Sequence, residues 1–228
     1  MTICIIPARS GSKRIKNKNI KHFGGKPIIS YAIRLAISSG LFKRIVVSTD
    51  SHKISKIAKK YGAEVPFLRS KKLADDFTPA PDVLIDCIKK ISSQATKYHF
   101  CLYPTAILIL KKDLINSFKK IKKIDFDHLS TVSEYDASPH RALRLVGKNR
   151  IEFNSKKFAL TRSQDLPKLC RDSGSFTIHR TKSLLKYNRK LPKKTTYYFI
   201  DKYRSIDIDT ESDFTFAEFI FKHINKLG

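Results

Sequence analysis

The chain has little acid to set against its base: 20 Asp and Glu face 46 Lys and Arg, for a formal charge of +26 at pH 7. It has no apolar run approaching the ~20 residues needed to span a bilayer, so no membrane association is expected. No secretory leader is expected either. Thr2-Ile3-Cys4-Ile5-Ile6 is too short, has no basic segment before it and runs into Arg9. The four cysteines show no metal-ligand spacing. Cys4, Cys87 and Cys101 lie in apolar runs and read as small core residues, while Cys170 lies in a polar one. Together these absences point to a reducing, cytoplasmic setting. The seven histidines suggest no metal cluster, and no Ser/His/Asp or Cys/His nucleophile can be assembled. No repeat, low-complexity tract or linker divides the chain, so residues 1–228 are expected to form a single domain. That length suffices to bury roughly 70–75% of the unfolded surface.

The excess of base has two readings. One is a nucleic-acid surface; the other is a set of solvated lysine faces. The Lys doublets at 59–60, 71–72, 89–90, 111–112, 119–120, 122–123, 156–157 and 193–194 are scattered, with no basic tail or basic-aromatic stripe. The spread favours solvated faces and no specific nucleic acid, while the net field should still attract anionic substrates.

The first half alternates strands and helices. Ile3–Ile6, Ile45–Asp50 and Phe100–Tyr103 read as buried strands. Pro27–Ser39 reads as a helix with Pro at its first position and Gly40 as its stop. Helices are also expected over Ser51–Tyr61, Asp82–Ser92 and Lys112–Lys123. This βαβαβ order predicts a mainly parallel sheet flanked by helices, with ligands beyond the carboxyl ends of its strands, where Arg9, Asp50 and Tyr103 fall. Leu129–Ser133 is a further strand. Ala142–Val146 and Arg150–Phe153 flank Gly147-Lys148-Asn149 as a β-hairpin. The polar stretch Ser155–Asp172 is either an active-site cover or dimerisation arm, or a long surface loop. Strands are expected again at Phe176–His179 and Tyr203–Ile208. A final helix begins at Glu211, capped by Thr210, with Asp213 in its first turn and Phe214, Ala217, Phe221 and Ile224 inward.

The chemistry concentrates at the end of the first strand. Arg9-Ser10-Gly11-Ser12-Lys13-Arg14, with Lys16 and Lys18, combines small residues with fixed positive charge. It is neither a Walker loop nor a dinucleotide fingerprint, because the Gly-Lys-Ser/Thr and Gly-x-Gly-x-x-Gly patterns are absent. It reads as a triphosphate cradle or as a solvated basic loop. In Ile206-Asp207-Ile208-Asp209-Thr210 alternation places the two carboxylates on one side of an extended segment. They form either a Mg²⁺ site shared with substrate phosphates or a strand end with Asp209 helping to cap the next helix. Asp75-Asp76-Phe77-Thr78-Pro79 is a turn or a lid. Thr161–Pro167 is arm surface or a binding loop for an acidic polyol. His140-Arg141 is structural or ligand-facing.

These motifs together resemble the CMP-sialic acid (acylneuraminate) cytidylyltransferase family. Ile6–Arg14, Lys18-Asn19-Ile20 and Gly25-Lys26-Pro27 resemble its opening. Asp207-Ile208-Asp209-Thr210 with Asp213 resembles its metal motif, and Leu73–Asp76 and Tyr103-Pro104-Thr105 fall in order between them. Tyr103-Pro104-Thr105-Ala106, Thr161–Pro167 and Asp172–Phe176 are more similar to the pseudaminic acid branch, although Ile107 stands where that branch has proline. The resemblance implies a Rossmann-like α/β fold and a homodimer whose arm, residues 135–172, helps complete the neighbouring site. It implies that Arg9, Ser12 and Lys18 meet the triphosphate of CTP. Asn19, Arg69 and the backbone near Ala8 would hold cytidine, and Tyr103 and Gln164 would lie near an acidic nine-carbon sugar. Asp207 and Asp209 would bind Mg²⁺, making Arg9, Lys18 and Asp209 the residues closest to the chemistry. It also implies bacterial glycan supply, with pseudaminate as substrate and N-acetylneuraminate or legionaminate as the alternatives.

Overall fold

The computed structural model describes residues 2–187 and 192–223. The chain runs β1 (Thr2–Pro7), β2 (His22–Phe23), β3 (Lys26–Pro27), α1 (Ile29–Ser39), β4 (Arg44–Ser48), α2 (His52–Lys60), α3 (Ala80–Lys90), β5 (Tyr98–Leu102) and α4 (Lys111–Lys123). It continues through β6 (His128–Glu134), β7 (Leu143–Val146), β8 (Arg150–Phe153), β9 (Cys170–Arg180), α5 (Thr181–Leu184), β10 (Thr195–Phe199) and α6 (Glu211–His223). Six strands form one sheet in the order β10-β6-β9-β5-β1-β4. β4, β1 and β5 are parallel to one another, as are β6 and β10, and β9 alone runs antiparallel to its neighbours.

β1 is buried on both faces because helices cover both. Cys4 and Ile6 pack with Ile29 and Ile33 of α1, Ile54 of α2 and Leu114 of α4. Ile3 and Ile5 point the other way, against Leu84, Cys87 and Ile88 of α3 and Leu184 of α5. Local signals set the helix ends. The Ser51 hydroxyl accepts the Ile54 N–H to cap α2, and Gly40 takes the left-handed conformation (φ 68°) that closes α1. Thr210 and Asp213 cap α6 reciprocally: Asp213 N–H donates to Thr210 Oγ1 at 3.2 Å, and Thr210 N–H to Asp213 Oδ2 at 2.7 Å. The Thr210 hydroxyl and the Thr210 and Asp209 N–H groups donate to the Asp213 carboxyl and hold it below its usual range.

Two expected elements differ. Pro27 does not open α1; it pairs in β3 with His22 of β2, so the helix starts two residues later. No strand covers Tyr203–Ile208. A single helical turn at Lys202–Arg204 is followed by irregular backbone through Asp209, and β10 supplies the sixth strand beside β6. Ile224 lies outside the described residues. The predicted hairpin is present: β7 and β8 pair antiparallel, with Val146 opposite Arg150, and stand outside the main sheet.

Candidate active site

The loop following β1 is held open by bonds to its backbone. Ala8 N–H donates to Ser48 O (2.9 Å). The buried Asn19 donates its amide to Arg9 O (2.9 Å), and Asp50 accepts from both Ser10 N–H (2.8 Å) and Ser10 Oγ (2.5 Å). Ile15 plugs the underside of the loop into the cluster of Phe23, Ile28, Ile208 and Phe214. With its backbone so engaged, the loop directs its cations outward. Arg9 and Lys13 each lie 2.6 Å from Asp76. Arg14 and Lys18 lie 2.8 and 3.3 Å from Asp209, and Lys18 also donates to Ile208 O at 2.7 Å.

Two cavities meet here. One, about 320 Å³, runs from Arg9 and Lys18 past Asn19 to Arg69 and Tyr103. The other, about 350 Å³, lies over Ser12, Lys13 and Arg14, and the two share Arg9, Lys18, Asn19 and Asp76. Their combined size suits a small ligand with an anionic tail. Arg69 is only 5% exposed, and its Nε and Nη2 have no partner among the described residues. Burial lowers its pKa, with the charge of Asp50 acting in opposition. A buried guanidinium with unused donors needs an acceptor, and a pyrimidine carbonyl entering the cavity would supply one.

Tyr103 closes β5 in a turn secured by Tyr103 N–H to Ser175 O (3.0 Å) and Ala106 N–H to Tyr103 O (3.0 Å). Ile107 does not disturb this turn; it is buried in the cluster with Ile15 and Ile208. The Tyr103 hydroxyl is pushed up by neighbouring Cys101, by burial and by Asp172. Asp207 and Asp209 flank the fully buried Ile208, which anchors the segment even though it is no strand. Partial dehydration, and then the charge of Asp209, raise the Asp207 carboxyl above its usual range. Gly174, at φ 62°, brings β9 to this carboxylate, where a Cβ would lie 3.5 Å from it.

Arg9, Ser12, Lys18, Asn19, Arg69 and Tyr103 therefore line two adjoining cavities, with Asp209 tied to them through Lys18. Ala8 has already committed its N–H, leaving its carbonyl as the group to offer a base. Gln164 does not join them. It is exposed on a single turn at Ser163–Asp165, on the arm. Among the described residues no three His, Cys, Asp or Glu side chains gather as a metal cage. Two carboxylates, one of them raised by burial and then by the charge of the other, suit a hard ion that draws its remaining oxygens from phosphate and water. The residues present thus fit Mg²⁺. The sequence reading gave no role to Asp50, whose only signal was its place at a strand end, or to the grip of Asp76 on Arg9 and Lys13.

The family model described as Cytidylyltransferase matches residues 3–227. A pseudaminic acid cytidylyltransferase of Campylobacter jejuni is 37% identical over 222 residues, covering 96% of each chain. A CMP-N,N'-diacetyllegionaminic acid synthase of the same species is 34% identical over 222 residues, covering 96% of this chain and 94% of the other. Among solved structures, a CMP:2-keto-3-deoxy-manno-octonic acid synthetase complexed with CTP shares the fold. Its TM-score is 0.74 at 14% identity, over 98% of this chain and 99% of that one.

Proposed function

The chain belongs to the cytidylyltransferase family, and from that premise we propose that it converts CTP and pseudaminate to CMP-pseudaminate and pyrophosphate. One observation carries the nucleotide half. One cavity is lined by the Arg9 and Lys18 cations together with the buried Arg69 guanidinium, two of whose nitrogens have no partner among the described residues, and it adjoins a second over Ser12, Lys13 and Arg14. That is the charge layout of a pyrimidine nucleoside triphosphate. The Tyr103–Ala106 turn, the Thr161–Pro167 loop and the relatives bearing the pseudaminic acid name, at 37% and 36% identity, support the sugar half. The 34% identical legionaminic acid synthase favours the second reading, the same reaction on legionaminate or N-acetylneuraminate.

In this reading Arg69, Asn19 and the Ala8 carbonyl hold the cytosine and ribose. Arg9, Ser12 and Lys18 receive the triphosphate, and Arg9 exchanges its Asp76 partner for phosphate oxygens. The anomeric hydroxyl attacks the α-phosphorus in line and gives up its proton to solvent, its new O–P bond forming as the bond from the α-phosphorus to the bridging oxygen breaks and pyrophosphate leaves. Arg9 and Lys18 meet the charge gathering on the departing pyrophosphate. Mg²⁺ held by Asp207 and Asp209 would neutralise phosphate oxygens. Tyr103 lies on the sugar side. Gln164, exposed and lining neither cavity, serves the sugar site of a second subunit in a homodimer. Leu145 (85% exposed) and Leu160 (96% exposed) on the same arm support that pairing. The proposed setting is the bacterial cytoplasm, and among the described residues no helix is long and apolar enough to cross a membrane.

The test is pyrophosphate release from CTP and Mg²⁺ with pseudaminate, legionaminate and N-acetylneuraminate. The highest kcat/KM should fall to pseudaminate. A higher value for another of the three would move the substrate assignment, and no release with any of them would remove the reading.

A further inference from the structure

Parallel pairing brings three strand ends into a row. Pro7 of β1 pairs with Ser48 of β4, and Thr49 bridges in parallel to Leu68, with Arg69 N–H donating to Thr49 O at 2.7 Å. Two residues beyond Pro7 and Ser48 stand Arg9 and Asp50, and one beyond Leu68 stands Arg69. The row therefore reads cation, anion, cation. Asp50 holds the first branch by accepting both the amide and the hydroxyl of Ser10, the residue after Arg9. On the other side, the Arg69 backbone is tied to Thr49, the residue before Asp50, by its 2.7 Å bond, and the charge of Asp50 partly offsets the burial of the Arg69 guanidinium, to which Arg9 adds repulsion. Neither bond to Ser10 is a generic strand-end contact, because the amide and the hydroxyl of one residue converge on one carboxylate.

We infer that Asp50 is a positioning residue that couples the base end of the nucleotide cavity to its phosphate loop, setting Ser10 and Arg9 on one side and Arg69 on the other. The inference rests on the nucleotide site proposed above. Asp50 does not line either cavity and does not touch the reacting atoms. Its effect reaches CTP through two residues that do line it, so it should govern how well CTP binds rather than how fast bound CTP reacts.

The experiment measures CTP affinity by calorimetry, and steady-state kinetics with CTP varied, for wild type, Asp50→Asn, Asp50→Ala, Ser10→Ala and the Asp50→Ala/Ser10→Ala double variant. Asp50→Ala should weaken CTP binding about tenfold and raise the CTP KM to match, with kcat at saturating CTP falling less than about threefold and the sugar KM unmoved. Asp50→Asn, which keeps an acceptor for the Ser10 amide and loses the charge, should fall between. Ser10→Ala should weaken CTP alone yet add nothing in the Asp50→Ala background, since the coupled residues share one interaction. Thermal unfolding checks each variant, and if Asp50→Ala does not fold, Asp50→Asn and Ser10→Ala carry the comparison. A collapse of kcat at unchanged KM, full additivity of the two alanine variants, or wild-type affinity in Asp50→Asn would overturn the inference. Failure of the wild type itself to bind CTP would instead overturn the nucleotide reading beneath it.

Discussion

Replacing Arg204 by methionine should unfold the protein far more readily than a surface substitution would. Arg204 Nη1 lies 2.5 Å from Asp113 Oδ2, and Nη2 lies 3.4 Å from Oδ1, with the two side chains 16% and 2% exposed. Asp113 also accepts the Leu110 N–H at 2.8 Å at the start of α4, and the Tyr198 hydroxyl at a long 3.4 Å. Without the guanidinium, a nearly sealed carboxylate keeps one good hydrogen bond and no counter-charge. Breaking a buried pair in this way costs about 3–5 kcal/mol, against a total stability of about 5–15 kcal/mol. At about 2–4 °C per kcal/mol for a chain of this size, Tm should fall by about 6–20 °C. Equilibrium urea denaturation measures the free energy directly, and the slope of the transition should stay constant if only the native state is affected. Asp113→Leu combined with Arg204→Met removes the stranded charge and should recover at least half of the loss. A cost below about 1 kcal/mol for the single variant, the range of exposed pairs, would refute the reasoning.

Three further outcomes follow from the same contacts. Asp209→Ala should cut Mg²⁺-dependent pyrophosphate release by at least about tenfold, and full turnover in that variant would remove the metal assignment. Asp76→Asn releases Arg9 and Lys13 and should tighten CTP binding several-fold, with the gain shrinking as salt rises; weaker binding would show that Asp76 supports the nucleotide instead. His99, His179 and His128 face one another across β5, β9 and β6, buried, with His128 Nδ1 at 3.2 Å from His179 Nδ1. Burial pushes His99 and His128 each down to about 4, and holds His179 well below its usual value. Because the unfolded chain binds these protons near pH 6.5, stability should be complete above that value and drain away as pH falls toward 4. Unfolding free energies at pH 7.5 and 4.5 that agree would contradict this.

The early strands and helices were legible because burial on both faces of a parallel strand and on one stripe of a helix leaves plain apolar runs and spacings in the sequence. Ser51, Gly40 and the Thr210–Asp213 cap announced their boundaries by local chemistry. Pro27 misled because a proline that opens a helix and one that sits on a two-residue edge pair look alike until the partner, His22, is known. The 203–208 segment alternates as a strand does, yet its alternation comes from Ile208 docking beneath the basic loop rather than from a neighbouring ladder. Arg9 and Tyr103 could be gathered because strand order brings their strand ends together, whereas Arg69 was placed only by the family resemblance. The Asp50–Ser10 bonds, the Asp76 grip and the histidine row could not, since each joins residues distant in sequence with no motif between them.

The pairing of β6 with β9 gives residues 135–169 a particular freedom. The two strands are antiparallel neighbours, and Glu134 stands opposite Cys170 at the point where the chain leaves and re-enters the sheet. The whole excursion is therefore a single hairpin loop grown large, with both feet on adjacent strands. Lengthening, shortening or exchanging such a loop costs little, because closure entropy rises only with the logarithm of its length. Evolution can thus treat this stretch as a replaceable cassette, trading one exposed surface for another while the sheet that carries it stays as it is.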